Sequence, residues 1–154
     1  MRRLLGELPV RIAGLDEYPG IPEAPEDADT FAANARDKAL YYSERTRQWC
    51  LADDSGLEVD ALGGAPGVRS ARYARDELPP DADRPVIDRA NYRRLLRELD
   101  DVPAERRSAR FVCHLALAEP ERVLLESRGL FEGRILDEPR GENGFGYDPV
   151  FFVP

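Results

Sequence analysis

The sequence predicts a fold of the α/β or α+β type built on a mixed sheet with flanking helices, and three observations point to it. Residues 109–118 are apolar on both alternating faces, the pattern of a strand in the middle of a sheet. Residues 31–46 and 85–99 carry apolar side chains at helical spacing. Shorter apolar runs at 49–52, 57–62, 123–125 and 150–153 provide the other strands. Strands separated by helices in this way form a sheet with helices packed against it.

Taken in order, residues 1–8 read as the tail of an amphipathic helix, with Leu4, Leu5 and Leu8 on one side. Residues 10–15 alternate weakly, as a short strand does. Pro19, Pro22 and Pro25, set among acidic residues, make 16–29 a loop. Asp29 or Thr30 caps the next helix, whose buried stripe is Phe31, Ala35, Ala39 and Tyr42. The strand at 49–52 then delivers Asp53 and Asp54 to a turn made by Ser55 and Gly56, and 57–62 resumes as a strand. Gly63, Gly64 and Gly67 allow a tight connection. After a proline-rich loop at 75–85, Pro85 opens a helix whose buried side is Tyr92, Leu95, Leu96 and Leu99 and whose wet side is Arg93, Arg94 and Arg97. Beyond the central strand, Glu119-Pro120-Glu121 turns the chain into an antiparallel hairpin. Gly141, Gly144 and Gly146 mark a last loop before the final strand.

A length of 154 residues fits one domain, 1–154, with room for a real core. Net charge is −8, which disfavours a nucleic-acid polymer as partner, because phosphate backbones are met by basic surfaces. A small phosphate ligand stays open, since a bound divalent cation reverses the local field. No apolar run approaches the roughly 20 residues that span a bilayer, and the N-terminus lacks the apolar core of a signal peptide. Cys50 and Cys113, each inside an apolar stretch, read as buried free thiols of a reducing, cytoplasmic environment.

Two stretches carry candidate chemistry. In the first, the turn at 53–56 brings Asp53 and Asp54 toward one site. Magnesium takes one or two carboxylates and fills its other positions with water or substrate phosphates, while a nearby carboxylate orients or deprotonates water. Glu58 and Asp60, two apart on a strand, read as a polar strand face, and Glu23, Glu26 and Asp27 as a solvated loop able to lend one distant ligand. In the second, residues 141–148, glycines flank Phe145 and leave its ring free to stack on a flat base, with Asp148 able to accept from a base edge. His114 is the only histidine and has no partner at zinc-ligand spacing, so it reads as structural.

Together these segments resemble the inosine triphosphate pyrophosphatase family. The resemblance lies in Thr30-Phe31 with Asn34-Ala35 and Lys38-Ala39, in LADDSGLEVDALGGAPG at 51–67, in Ser70-Ala71-Arg72-Tyr73, and in GFGYDP at 144–149. It implies an α/β protein with a long mixed sheet, two lobes around a central cleft, and a homodimer. It implies magnesium-dependent hydrolysis of non-canonical purine nucleoside triphosphates (ITP, dITP, XTP), water attacking between the α- and β-phosphates to give a nucleoside monophosphate and pyrophosphate. By the same resemblance Asp54 is the catalytic carboxylate, a metal ligand and the general base, and Glu26 helps to hold the metal; Asp53, adjacent to Asp54, is taken as a supporting ligand. Lys38 is directed at the triphosphate and Ser55 contacts substrate. Phe145, Gly146, Tyr147 and Asp148 form the base-binding segment, Phe145 by stacking. Against the family pattern, the opening strand with its Thr/Ser-Gly-Asn…Lys motif and the closing Ser-His-Arg-Gly segment are missing, so the expected fold is truncated at both ends. Ala28 also stands where glycine is usual, and Ala32-Ala33 where acidic residues are common. Two other functions fit the residues: a catalytically impaired protein that keeps the fold for nucleotide binding or dimerisation, and a phosphatase acting on a different ester.

Overall fold

The stretch at 109–118 does become the interior of a sheet. In the computed structural model, which describes residues 9–141 and 143–154, strand β2 (Ser108–Glu119) lies between β1 (Cys50–Val59) and β3 (Arg122–Ile135). A two-residue β4 (Phe151–Phe152) pairs with the far side of β3. Among the described residues all three pairings are antiparallel, where the sequence predicts a mixed sheet. The helix expected within 1–8 lies outside the described residues.

Two helices cover opposite faces of this sheet. Helix α1 (Phe31–Thr46) starts where the Thr30 hydroxyl accepts from the Ala33 amide at 3.1 Å and stops at Arg47, in the left-handed region at φ 56°. Its Ala35 and Ala39 pack on Ala52, Ala116 and Ala118, an all-alanine contact that brings helix and sheet backbones close. Helix α2 (Arg84–Glu98) is capped by Asp83, whose carboxylate accepts from the Val86 amide at 3.1 Å. Its Leu95, with Leu99 just beyond, packs on Leu57, Val59, Ala109 and Ile135 on the other face. Both helices therefore form where the sequence placed them, although Tyr42 is only half-buried and Ser43 takes the fully buried position.

Several expected boundaries move. The turn expected at 53–56 is unbroken strand, because the backbone from Asp53 to Gly56 pairs in register with Leu115 to Val112. Gly56 serves close packing, not a bend: a Cβ there would stand 2.5 Å from Ser70 Oγ, 2.8 Å from the Gly67 carbonyl and 2.9 Å from the Phe31 ring. The strand ends at Val59, and Asp60–Leu62 is a 3-10 turn closed by Gly63 at φ 63°. Residues 10–14 are not a strand, and Leu15–Glu17 is a 3-10 turn. The short second strand of the hairpin is in fact the longest in the sheet: β3 is 14 residues, mostly exposed, and held by its ladder to β2. Cys50 and Cys113 are free thiols, half-buried.

Candidate active site

The alternation of β1 decides where its carboxylates go. Ala52 packs on α1, while Leu57 and Val59 pack on the α2 side, so even-numbered side chains face α1 and odd-numbered ones face away. Asp54 therefore meets α1, where Asn34 Nδ2 donates to its Oδ2 at 2.9 Å. Asn34 is 2% exposed, and its Oδ1 accepts from the Ala28 amide at 3.0 Å. An amide bonded at both ends fixes the direction of the carboxylate it holds. Asp53 faces the opposite way: its Oδ2 accepts from Ser55 Oγ at 3.2 Å. The expectation that a turn would swing both aspartates to one site is thus corrected, because a continuous strand separates neighbours to opposite faces.

Glu26 reaches the Asp54 side on a loop tied at three points. The Ala24 amide donates to Tyr42 Oη at 3.1 Å, Arg72 Nη2 donates to the Glu26 carbonyl at 2.9 Å, and the Ala28 amide is held by Asn34. A hollow of about 450 Å³ opens beside this loop, lined by Glu23, Ala24, Glu26, Tyr42 and Arg72. Lys38 Nζ pairs with the Glu26 carboxylate and donates to the Asp53 carbonyl at 2.9 Å. Its ammonium thus sits among oxygens contributed by both the loop and the strand.

This surrounding sets the charge on Asp54. Burial pushes its carboxyl above the usual aspartate range; the Asn34 hydrogen bond and the Lys38 charge pull it back, and the Glu26 carboxylate pushes it up again. Asp54 and Glu26 are therefore the two carboxylates here that could hold a cation, with the Lys38 ammonium already paired to Glu26. Among the described residues no three His, Cys, Asp or Glu side chains gather into a cluster able to enclose a metal.

The glycine-rich loop docks on the α2 side. Phe145 is 77% exposed, while its amide donates to Asp148 Oδ2 at 3.0 Å. The Gly146 amide donates to Asp88 Oδ2 on α2 at 3.1 Å. Tyr147 is buried and donates its hydroxyl to the Ser70 carbonyl at 3.0 Å; burial pushes that hydroxyl far above its ordinary pKa. Within the segment, then, Phe145 is the exposed ring, and Tyr147 and Asp148 hold it in place.

The structure brings Asp54, Glu26 and Lys38 together, sets Asp53 and Ser55 on the other face of the strand, and docks Phe145–Asp148 against α2. Glu58 on β1 and Asp60 in the 3-10 turn just past it are both held by Arg110, at 3.7 and 2.9 Å, so they form a polar cluster as expected, though not on one strand. His114 faces the α1 side opposite Asp54, with Nε2 3.5 Å from Glu126, a carboxylate that also pairs with Arg36 at 2.6 Å. Asn34, Tyr42 and Arg72 were not legible as site residues. The one available signal was Asn34 on the buried stripe of α1, one turn after Phe31, where a polar side chain needs a partner.

The model of the Ham1 family matches residues 1–154. A dITP/XTP pyrophosphatase of Shouchella clausii is 50% identical over 143 residues, 93% of this chain and 68% of the relative. Among solved structures, a HAM1 protein from Coxiella burnetii superposes with a TM-score of 0.86 at 39% identity, covering 99% of this chain and 74% of that one. A nucleoside-triphosphatase / dITP/XTP pyrophosphatase from Mycobacterium abscessus gives a TM-score of 0.81 at 42% identity, covering 97% and 74%.

Proposed function

The chain belongs to the Ham1 family, and from that premise we propose that it is a nucleoside triphosphate pyrophosphatase acting on non-canonical purine nucleotides such as dITP and XTP. The observation that carries this reading is the convergence of Asp54 on β1, Glu26 on the anchored loop and Lys38 on α1. Water attacks the α-phosphorus, the bond from that phosphorus to the bridging oxygen breaks, and pyrophosphate leaves with a nucleoside monophosphate as the other product. Asp54 is suited to take the water's proton, because burial makes its carboxylate more basic than an exposed one. Lys38 supplies a positive charge for the phosphates, and the exposed Phe145 ring a surface for the base, where stacking contributes about 1–3 kcal/mol.

Magnesium is the cofactor this reading takes, held by Asp54 and Glu26. When bound it neutralises charge on the phosphate oxygens. Asp53, turned to the other face, contributes its main-chain carbonyl to the site through Lys38. We also read the protein as a cytoplasmic homodimer. Supporting a dimer, Leu51, Leu117 and Leu125 lie in register across the sheet on the face away from α1, with Leu125 67% exposed. Supporting the compartment, both cysteines are free. No described helix is long and apolar enough to cross a membrane.

Product analysis tests the reading. With dITP or XTP and magnesium, the expected products are the nucleoside monophosphate and pyrophosphate in equal amounts. Release of orthophosphate alone would mark a phosphatase, and nucleotide binding without products would mark a non-catalytic member of the fold.

A further inference from the structure

We infer that Asp88 is a positioning residue for nucleotide binding: its carboxylate holds the Gly146 amide and so sets where the Phe145 ring stands for a purine base. The inference rests on the pyrophosphatase reading for its substrate. Its geometry is independent of that reading.

The Phe145 ring is exposed and its backbone lies between Gly144 at φ 92° and Gly146 at φ 59°, both in the left-handed region. Glycines restrict such a backbone little, so its course depends on what its amides are bonded to. Two bonds do this. The Phe145 amide is held within the loop by Asp148, and the Gly146 amide is held from outside by Asp88, 58 residues away in sequence. Only the second ties the loop to a regular element.

Asp88 is itself largely buried, its side chain 13% exposed. Its Oδ1 lies 2.8 Å from Arg84 Nε one turn earlier, an ion pair without hydrogen-bond geometry, so its Oδ2 bond to the Gly146 amide is the hydrogen bond that the carboxylate makes. One turn later Asn91, at 1% exposure, accepts from the Ala74 amide at 2.8 Å and donates to the Ser70 carbonyl at 3.1 Å. That same carbonyl accepts the Tyr147 hydroxyl. Ser70 Oγ in turn accepts from the Leu57 amide at 2.9 Å, three residues past Asp54. One face of α2, through Asp88, Asn91 and Leu95, therefore grips both the stacking loop and the strand that carries Asp54. Asp88 is the member of that face bonded nearest to the ring.

The test compares Asp88→Ala with Asp88→Asn, which keeps an oxygen acceptor at the same reach. In Asp88→Ala the KM for dITP is expected to rise about tenfold with kcat within about twofold of the parent, since the lost bond serves binding and not the chemical step. Asp88→Asn is expected to restore KM to within about threefold. A purely structural role would lower thermal stability and leave KM alone. The second measurement uses the unaltered protein: the Gly146 amide should be protected from hydrogen exchange, and unprotected exchange there overturns the inference whatever the variants do. An active parent whose KM is unchanged in a folded Asp88→Ala protein also overturns it. A parent that turns over neither dITP nor XTP overturns the functional reading instead, and Gly146 exchange then still decides whether Asp88 holds the loop.

Discussion

Replacing Asp54 by Asn is expected to lower turnover of dITP at least about a thousandfold while leaving the folded protein as heat-resistant as the parent or more so. The two halves have one origin. Burial raises the Asp54 carboxyl above its ordinary value, so the fold prefers the protonated form. The stability that Asp54 contributes is then fully present below the unfolded aspartate pKa of about 3.9 and is lost as pH rises through the raised folded value. At pH 7 without metal, the ionised carboxylate is a burden on the fold. Asparagine keeps an oxygen to accept from Asn34 and removes the charge. Thermal unfolding in a chelating buffer should therefore show the variant's advantage at pH 7 and its disappearance in acid. A marked loss of stability at pH 7, or turnover near the parent's, contradicts the role given to Asp54.

Gly56→Ala is expected to destabilise the protein by about 3 kcal/mol, a fall of roughly 10 °C in Tm. The strand backbone at 56 tolerates any side chain. The cost comes from what a methyl would meet: the Gly67 carbonyl at 2.8 Å, the Ser70 hydroxyl at 2.5 Å and the Phe31 ring at 2.9 Å. The carbonyl is backbone and cannot swing aside. Displacing Ser70 also breaks its bond to the Leu57 amide on the edge of β1, leaving a buried donor without a partner. Thermal unfolding reads this directly, and a Tm within about 2 °C of the parent contradicts the close packing described at Gly56.

How far the sequence could be read depended on whether an element announces itself by its own side chains. The central strand and both helices did, because their burial shows as alternation or helical spacing over ten or more residues. Strand β3 did not: RVLLESRGLFEGRI has mostly exposed side chains, and its strand character resides in the ladder to β2. Gly56 misled for a related reason. A glycine after two aspartates and a serine reads as a turn, whereas its reason is a backbone approach from Gly67 that no local pattern encodes. At the site, Asp54, Glu26 and Phe145 stood out in their own stretches as candidates, while Lys38, and the roles of all four, followed from the family resemblance. Their holders, Asn34, Arg72, Asp88 and Asn91, act across 17 to 58 residues of sequence and became visible only with the fold.

We propose that Asp54 and Glu26, brought together by α1 and its preceding loop, form the cation site. The most direct test is the magnesium dependence of pyrophosphate release from dITP, measured for the parent and for Glu26→Gln. The expected result is a half-activating magnesium concentration about tenfold higher in the variant, with the rate at saturating magnesium largely recovered. An identical magnesium dependence in the two proteins would contradict the claim.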